Sequence, residues 1–308
     1  TGYRWKAEEH RVIQNEHRIW TSFVPVSAFA PANRQKKYPV VFALHGACNN
    51  IFLVEGWGFV QEAARREWIV IIPSLELDEF VLDILEQAKK LYPVDTERVY
   101  AAGFSYGGWA SNRLGNQYPE VFAAVAPCGT AMDNGFIEGF DDDREPLPPF
   151  DGVPRALAKN ICMPIINVYG ECDGNRFPIY DFRGKAFGLS HMERPEDIVE
   201  GINCWARVND AEEIRIEDVM ALKGKNDISQ AEREVGLPLP EDCRKTYVAD
   251  GVTYHRMDLK SRDGVVRVRL LAEMNIPHWP TPEMVRQIFE FFAHFKRDGK
   301  SGKSIYTD

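Results

Sequence analysis

The chain has 308 residues, 44% hydrophobic and 27% charged, with a formal net charge of −9 at pH 7. That is the composition of an ordinary globular protein with length enough for a large core; the acidic balance speaks against nucleic-acid or anionic-membrane binding, and no apolar run approaches a membrane span. Six cysteines without a C-x-x-C pair speak against a disulfide scaffold and a structural zinc site.

In chain order, strand-like runs alternate with helical ones. Residues 18–26, RIWTSFVPV, alternate and are rich in β-formers; preceding any helix, they are expected at an antiparallel edge. YPVVFALHG (38–46) is a continuous apolar run ending in glycine, and WIVIIP (68–73) is another, stopped by proline. Helices are predicted at 58–67 and 77–92; the second sets Phe80, Val81, Ile84, Leu85 and Leu91 near helical spacing. A strand at 98–104 runs straight into a helix at 106–118, and strands follow at 121–127 and 163–170. PEDIVEGINCWARVNDA (195–211) reads as a helix, a last strand lies shortly before NIPHWP, and Thr281-Pro282-Glu283 opens a terminal helix over 281–298. Near-continuous apolar strands suit a sheet covered on both faces, and the alternation predicts a mainly parallel sheet with crossover helices.

Two segments break this rhythm. Residues 129–160 are acidic and proline-bearing, and without EF-hand spacing they read as a solvated loop rather than a calcium site. Residues 183–263 form a longer insertion between the strand at 163–170 and the last strand. No linker flanks either, so a single domain over 1–308 is expected, with both segments shaping a cleft. The ending DGKSGKSIYTD holds two GKS triplets, but His294 and Arg297 stand where a phosphate-binding loop needs glycine, so a solvated tail is expected. The chain opens at Thr1 without a signal-peptide pattern, which leaves the compartment open.

Chemistry concentrates at Gly103-Phe104-Ser105-Tyr106-Gly107, a G-x-S-x-G pattern between a predicted strand and a predicted helix. That context is what a nucleophile elbow requires: a tight turn exposes the hydroxyl, and glycines leave room for strand and helix. A serine hydroxyl needs a base, and the base an orienting acid. Four histidines follow Ser105. His294 falls in the terminal helix, His255 in a strand-like run and His191 in a polar loop, whereas His278 lies in a short loop after the last strand. His278 is therefore the expected base. Asp173, just beyond the strand at 163–170, is the expected acid, with Glu171 and then Asp181 as rivals. The oxyanion donors are expected at Tyr106 N–H and at Ala47 N–H in the loop after 38–46, with His45 a structural histidine beneath that loop. Trp279, beside the base, is a candidate substrate wall. Cys48, Cys128 and Cys172 should lie near the same sheet edge, where buried thiols are the plain reading; a Cys128–Cys172 disulfide cannot be inferred from sequence.

LHGACNN (44–50), VDTERVYAAGFSYGGWASN (94–112), YGECDGNRFP (169–178) and PHWP (277–280) together resemble the α/β-hydrolase superfamily. Within it the chain is similar to carbohydrate esterase family 1 and polyhydroxybutyrate-depolymerase-like esterases, which include feruloyl and acetylxylan esterases. Asp95 and Arg98 match the lead into the elbow, Ser105 the nucleophile, Asp173 the acid and His278 the base. Tyr169 stands where the family's histidine is usual, and PHWP lacks a spacer between histidine and tryptophan. The resemblance implies an α/β-hydrolase fold and a serine ester hydrolase working through an acyl-enzyme, without metal or cofactor, on feruloyl or acetyl esters of plant polysaccharides. It is consistent with a secreted or periplasmic setting. Other readings are a prolyl-oligopeptidase-like serine peptidase, another short-chain or polyhydroxyalkanoate esterase, and a non-catalytic binding protein of the same fold.

Overall fold

Alternation within the strands decides the layers. In β3 (Tyr38–Leu44) the side chains of Val40, Phe42 and Leu44 join one apolar cluster while Val41 and Ala43 join another, and all are buried. β4 (Ile69–Pro73) repeats the split, with Ile69 and Ile71 on one side and Val70 and Ile72 on the other. Such strands have two apolar faces and need helices on both. The computed structural model provides them and describes residues 5–11, 18–47, 49–130, 132, 155–170, 172–173, 195–218 and 239–307.

The sheet also contains β1 (Trp5–Arg11), β2 (Ile19–Pro25), β5 (Val94–Phe104), β6 (Ala124–Cys128), β7 (Ile165–Gly170), β8 (Arg244–Ala249), β9 (Val252–Lys260) and β10 (Val266–Glu273). Its spatial order is β1-β2-β4-β3-β5-β6-β7-β10-β9-β8. The six strands from β4 to β10 pair in parallel. β1 and β2 are antiparallel additions at one edge, as the alternation of residues 18–26 suggests.

On one face lie α3 (Asp78–Leu91), α4 (Tyr106–Gln117) and α6 (Pro195–Val208). α3 buries the stripe Phe80, Val81, Ile84, Leu85 and Ala88, and its ends carry Asp78 and Glu79 at the start and Lys89 and Lys90 at the close, complementing the helix dipole. The short α5 (Arg155–Ala158) packs beside α4. On the other face lie α1 (Ile51–Glu55), α2 (Phe59–Arg66) and the terminal α7 (Pro282–Ala293). Tyr100 of β5 stacks between Trp68 (5.1 Å) and Phe292 of α7 (4.7 Å), fixing that helix to the sheet.

The structure adds detail to two expectations. Part of the insertion at 183–263 belongs to the layers: α6 covers one face, and the β8–β9 hairpin adds two antiparallel strands beyond β10. The expected tail is also structured. α7 ends at Ala293, and β11 (Phe295–Arg297) pairs with β12 (Ser304–Tyr306). The physical reason is Arg297, buried and donating to the carbonyls of Phe122, Cys162 and Gly302 at 2.5, 3.1 and 3.1 Å. Of the other expected cleft segment, 129–160, residues 133–154 lie outside the described residues.

Among the described residues no helix is long and apolar enough to cross a membrane, and no cluster of three or more histidine, cysteine or acidic side chains is arranged to hold a metal ion.

Candidate active site

β5 delivers Ser105 at its carboxyl end. Ser105 has φ 58° and ψ −118°, a backbone conformation that L-residues seldom adopt, and α4 begins at the next residue. The turn is clamped from below by Ser105 N–H donating to the Cys128 carbonyl at 2.8 Å. It is also closed by the absence of side chains. A methyl group on Gly103 would lie 2.3 Å from the Gly107 carbonyl oxygen, and one on Gly107 would lie 2.4 Å from the Leu44 carbonyl oxygen. The glycines flanking the serine are therefore sites where strand and helix touch. The ladder of α4 starts with Trp109 N–H donating to the Ser105 carbonyl, so Tyr106 N–H belongs to the first turn, at the positive end of the helix dipole.

Asp173 follows β7, and His278 follows β10, the next strand in the sheet. His278 Nδ1 donates to Asp173 Oδ2 at 2.6 Å; the carboxylate is buried and the imidazole partly exposed. The two loops are joined through their backbones as well. Cys172 N–H donates to the Ile276 carbonyl at 2.9 Å, and Gly170 lies so close beneath that a methyl on it would sit 2.3 Å from the Ile276 oxygen. The His278 ring packs on Phe104, the residue before the serine, with centroids 4.6 Å apart. Gly129 flanks both, since a methyl there would be 2.6 Å from the Phe104 ring and 3.2 Å from His278 Cε1. Ser105 and His278 thus share Phe104 and the end of β6 as their floor.

The loop after β3 closes the group. Gly46 lies against the elbow, with a methyl at that position 3.2 Å from Ser105 Cβ. Ala47 follows as an exposed turn residue, and Asn50 caps α1 by accepting from Phe52 and Leu53 N–H at 3.0 and 3.2 Å. His45 is buried beneath: Nδ1 lies 2.8 Å from the Gly46 carbonyl oxygen and 2.5 Å from Glu76 Oε1, and Nε2 lies 3.0 Å from the Ser74 carbonyl. Burial alone would push this imidazole down. The Glu76 carboxylate, with the two carbonyls, outweighs burial and carries it up to about 9.

Ser105, Asp173, His278, Tyr106 and Ala47 all lie at the carboxyl edge of the parallel strands, where sites of open α/β sheets form. Trp279, at 53% exposure, stands in solvent beside His278 rather than in the core. The other histidines lie elsewhere or outside the description. His255 is buried in β9 against Thr246, His294 caps α7, and His191 is outside the described residues, as are the rival acids Glu171 and Asp181. Cys128 and Cys172 are both thiols, Cys128 buried as expected but Cys172 exposed rather than buried, and Cys48 is outside the described residues. Burial pushes the Cys128 thiol well above its ordinary range, which makes it inert.

Two buried acids went unnoticed in the sequence. Glu76 falls between a strand's final proline and a helix, where a carboxylate ordinarily meets solvent. Glu273 ends β10 and is hydrogen-bonded to the Thr281 hydroxyl. Burial pushes Glu273 up to about 8 against the pull of Thr281, with Glu283 adding to the rise.

Comparison with known proteins adds to this geometry. A family model described as the prolyl oligopeptidase family matches residues 76–146, a stretch that contains α3, β5, the elbow, α4 and β6. The chain is 28% identical over 138 residues to the bifunctional acetylxylan esterase/xylanase of Neocallimastix patriciarum, covering 41% of this chain and 20% of that protein. It is 28% identical over 136 residues to feruloyl esterase B of Piromyces equi, covering 42% and 21%. The chain therefore spans about a fifth of the length of these two relatives. Among solved structures, the acetyl xylan esterase from Aspergillus awamori matches 94% of this chain and 99% of its own, with a TM-score of 0.55 at 14% identity. The chain has the α/β-hydrolase fold, and its sequence resembles the esterases built on that fold.

Proposed function

We propose that this chain is a serine carboxylic-ester hydrolase that works through an acyl-enzyme on Ser105, with feruloyl or acetyl esters of plant polysaccharides as its substrate class. The observation that carries the proposal is a left-handed serine between a parallel strand and a helix, with a buried carboxylate holding an imidazole at the same sheet edge. In this reading Ser105 Oγ attacks the ester carbonyl as His278 Nε2 takes its proton. Asp173 accepts from Nδ1, which fixes the tautomer and stabilises the imidazolium. Ala47 and Tyr106 N–H groups receive the oxyanion. The alcohol leaves with the proton from His278, and water, activated by the same imidazole, releases the acid and frees the serine. Trp279, exposed beside the base, offers a flat face to an aryl or sugar ring.

A single domain over 1–308 with a cleft at the carboxyl edge fits this reading. Residues 129–160 leave the sheet at the end of β6, beside the elbow, and the insertion after β7 leaves beside Asp173. The names of the relatives support the substrate class, since one is an acetylxylan esterase/xylanase and another a feruloyl esterase.

A second reading, a prolyl-oligopeptidase-like peptidase, is favoured by the family model over residues 76–146. A substrate panel separates the two. Methyl ferulate and p-nitrophenyl acetate are expected to be hydrolysed, with activity lost in Ser105→Ala, while a prolyl anilide is not. Turnover of the anilide equal to or above that of the esters would reverse the assignment.

A further inference from the structure

The two proposed oxyanion donors come from different parts of the chain. Ala47 N–H belongs to the loop after β3, and Tyr106 N–H opens α4. An oxyanion hole acts only if its donors are held at fixed separation before charge develops, because reorganising them during the reaction forfeits the benefit. The Ser74–Asp78 segment, from the end of β4 to the first residue of α3, grips both segments. Towards the first, the Ser74 carbonyl and the Glu76 carboxylate meet the two ring nitrogens of His45, at 3.0 and 2.5 Å. Towards the second, the Glu76 carbonyl accepts from Arg113 of α4 at 2.8 Å, and Asp78 Oδ1 accepts from Arg113 Nε at 2.7 Å. His45, Glu76, Asp78 and Arg113 are all buried.

The ring's surroundings fix its protonation. Nδ1 faces the Gly46 carbonyl and the Glu76 carboxylate, and Nε2 faces the Ser74 carbonyl. Carbonyl and carboxylate oxygens accept and do not donate, so each ring nitrogen carries a proton. His45 is then an imidazolium whose Nδ1–H bonds the carbonyl of Gly46, the residue before Ala47. Among the described residues Glu76 is the charged side chain against this ring; Asp78 and Arg113 are paired with each other further along the segment.

We propose that the segment Ser74–Asp78 is a bracket that sets the spacing of the two oxyanion donors, with His45 and Glu76 as positioning residues that act through an imidazolium–carboxylate pair. The inference rests on the esterase reading of Ser105. Without the Glu76 charge, the imidazole keeps a single proton, so the Gly46 and Ser74 carbonyls no longer both have a donor, and the bracket that holds the Ala47 peptide against the elbow loosens. The elevated position of the His45 titration agrees with this: the pair is present at neutral pH and lost as pH rises through about 9.

Two measurements on the full chain test it. The first is nitrogen NMR of the histidine rings, with His45 assigned through His45→Gln, or through the signal displaced in Glu76→Gln if His45→Gln does not fold. A doubly protonated His45 ring at pH 7.5 is expected, and a neutral tautomer there overturns the proposal. The second is the rate at which a fluorophosphonate labels Ser105. In the wild type that rate should fall on an alkaline limb near pH 9. In Glu76→Gln it should be about 10- to 100-fold slower at pH 7.5, less than the loss of a whole oxyanion donor, with the limb moved to lower pH. A merely structural Glu76 would lower the melting temperature but leave the rate and limb of the folded enzyme in place, which would overturn the proposal. Should Glu76→Gln not fold, the wild-type limb decides, and its absence up to pH 10 is contrary. A wild type that takes no label at Ser105 overturns the esterase reading itself, a failure distinct from a labelled wild type with an indifferent variant.

Discussion

At the scale of single residues, Ser105 sits in a conformation that costs on the order of 1–3 kcal/mol for a side-chain-bearing residue. Glycine adopts it without strain, at a smaller cost in unfolded-state entropy. Ser105→Gly is therefore expected to be more stable than Ser105→Ala by about 1 kcal/mol in urea unfolding, although both remove the proposed nucleophile. Equal stabilities would mean that the turn relaxes in solution. Asp173→Asn removes the carboxylate that accepts from His278 Nδ1, and kcat on an ester is expected to fall by roughly 10³–10⁴, as when a triad aspartate becomes an amide. A drop below tenfold would assign the orienting acid elsewhere. The sequence could single out Ser105, Asp173 and His278 as the proposed triad because each is marked by its place just after a strand. It could not single out Glu76, because nothing local distinguishes a carboxylate that meets solvent from one that a folded loop presses against His45.

At the scale of elements, the apolar strands of the parallel sheet and α2, α3, α4 and α6 fall within a few residues of their predicted bounds, because continuous apolar runs and helical stripes are strong signals. Among the strands passed over are β8, β11 and β12. β8 has no buried residue, and β11 and β12 are three residues each, so none carries an apolar run. Their pairing depends on long-range anchors such as Arg297, which no window of sequence contains. The acid and base loops make a sharper prediction. Gly170→Ala would set a methyl 2.3 Å from the Ile276 carbonyl, so the His278 loop must shift. Catalysis is sensitive to displacements of about 1 Å, so kcat is expected to fall by roughly 10²-fold while far-ultraviolet circular dichroism stays native. Unchanged kcat would show that this loop does not position the base.

At the scale of the whole molecule, the alternating strands and helices implied a parallel sheet with both faces covered, and the six central strands are that sheet. The sequence read the strand-like run around His255, which is β9, but not its partner β8 or their place beyond β10, because an inserted hairpin joins the sheet edge by backbone pairing that carries little side-chain signature. Glu273, buried at the end of β10, ties the molecule's stability to pH. Its folded-state titration is raised from the ordinary carboxyl value of 4.5 to about 8, so its contribution is fully present below about 4.5 and is lost as pH rises through about 8. Glu273→Gln keeps an acceptor for Thr281 without a charge, so its melting temperature is expected to match the wild type near pH 4.5 and to exceed it increasingly towards pH 9. A constant difference across that range would mean that Glu273 ionises freely in the folded chain. The account depends most on Ser105 being an activated nucleophile at the sheet's carboxyl edge. The direct measurement is intact-mass spectrometry of the wild type after a fluorophosphonate, followed by peptide mapping. One adduct per chain on Ser105, absent in Ser105→Ala, is the predicted result; no adduct, or an adduct on another serine, would contradict it.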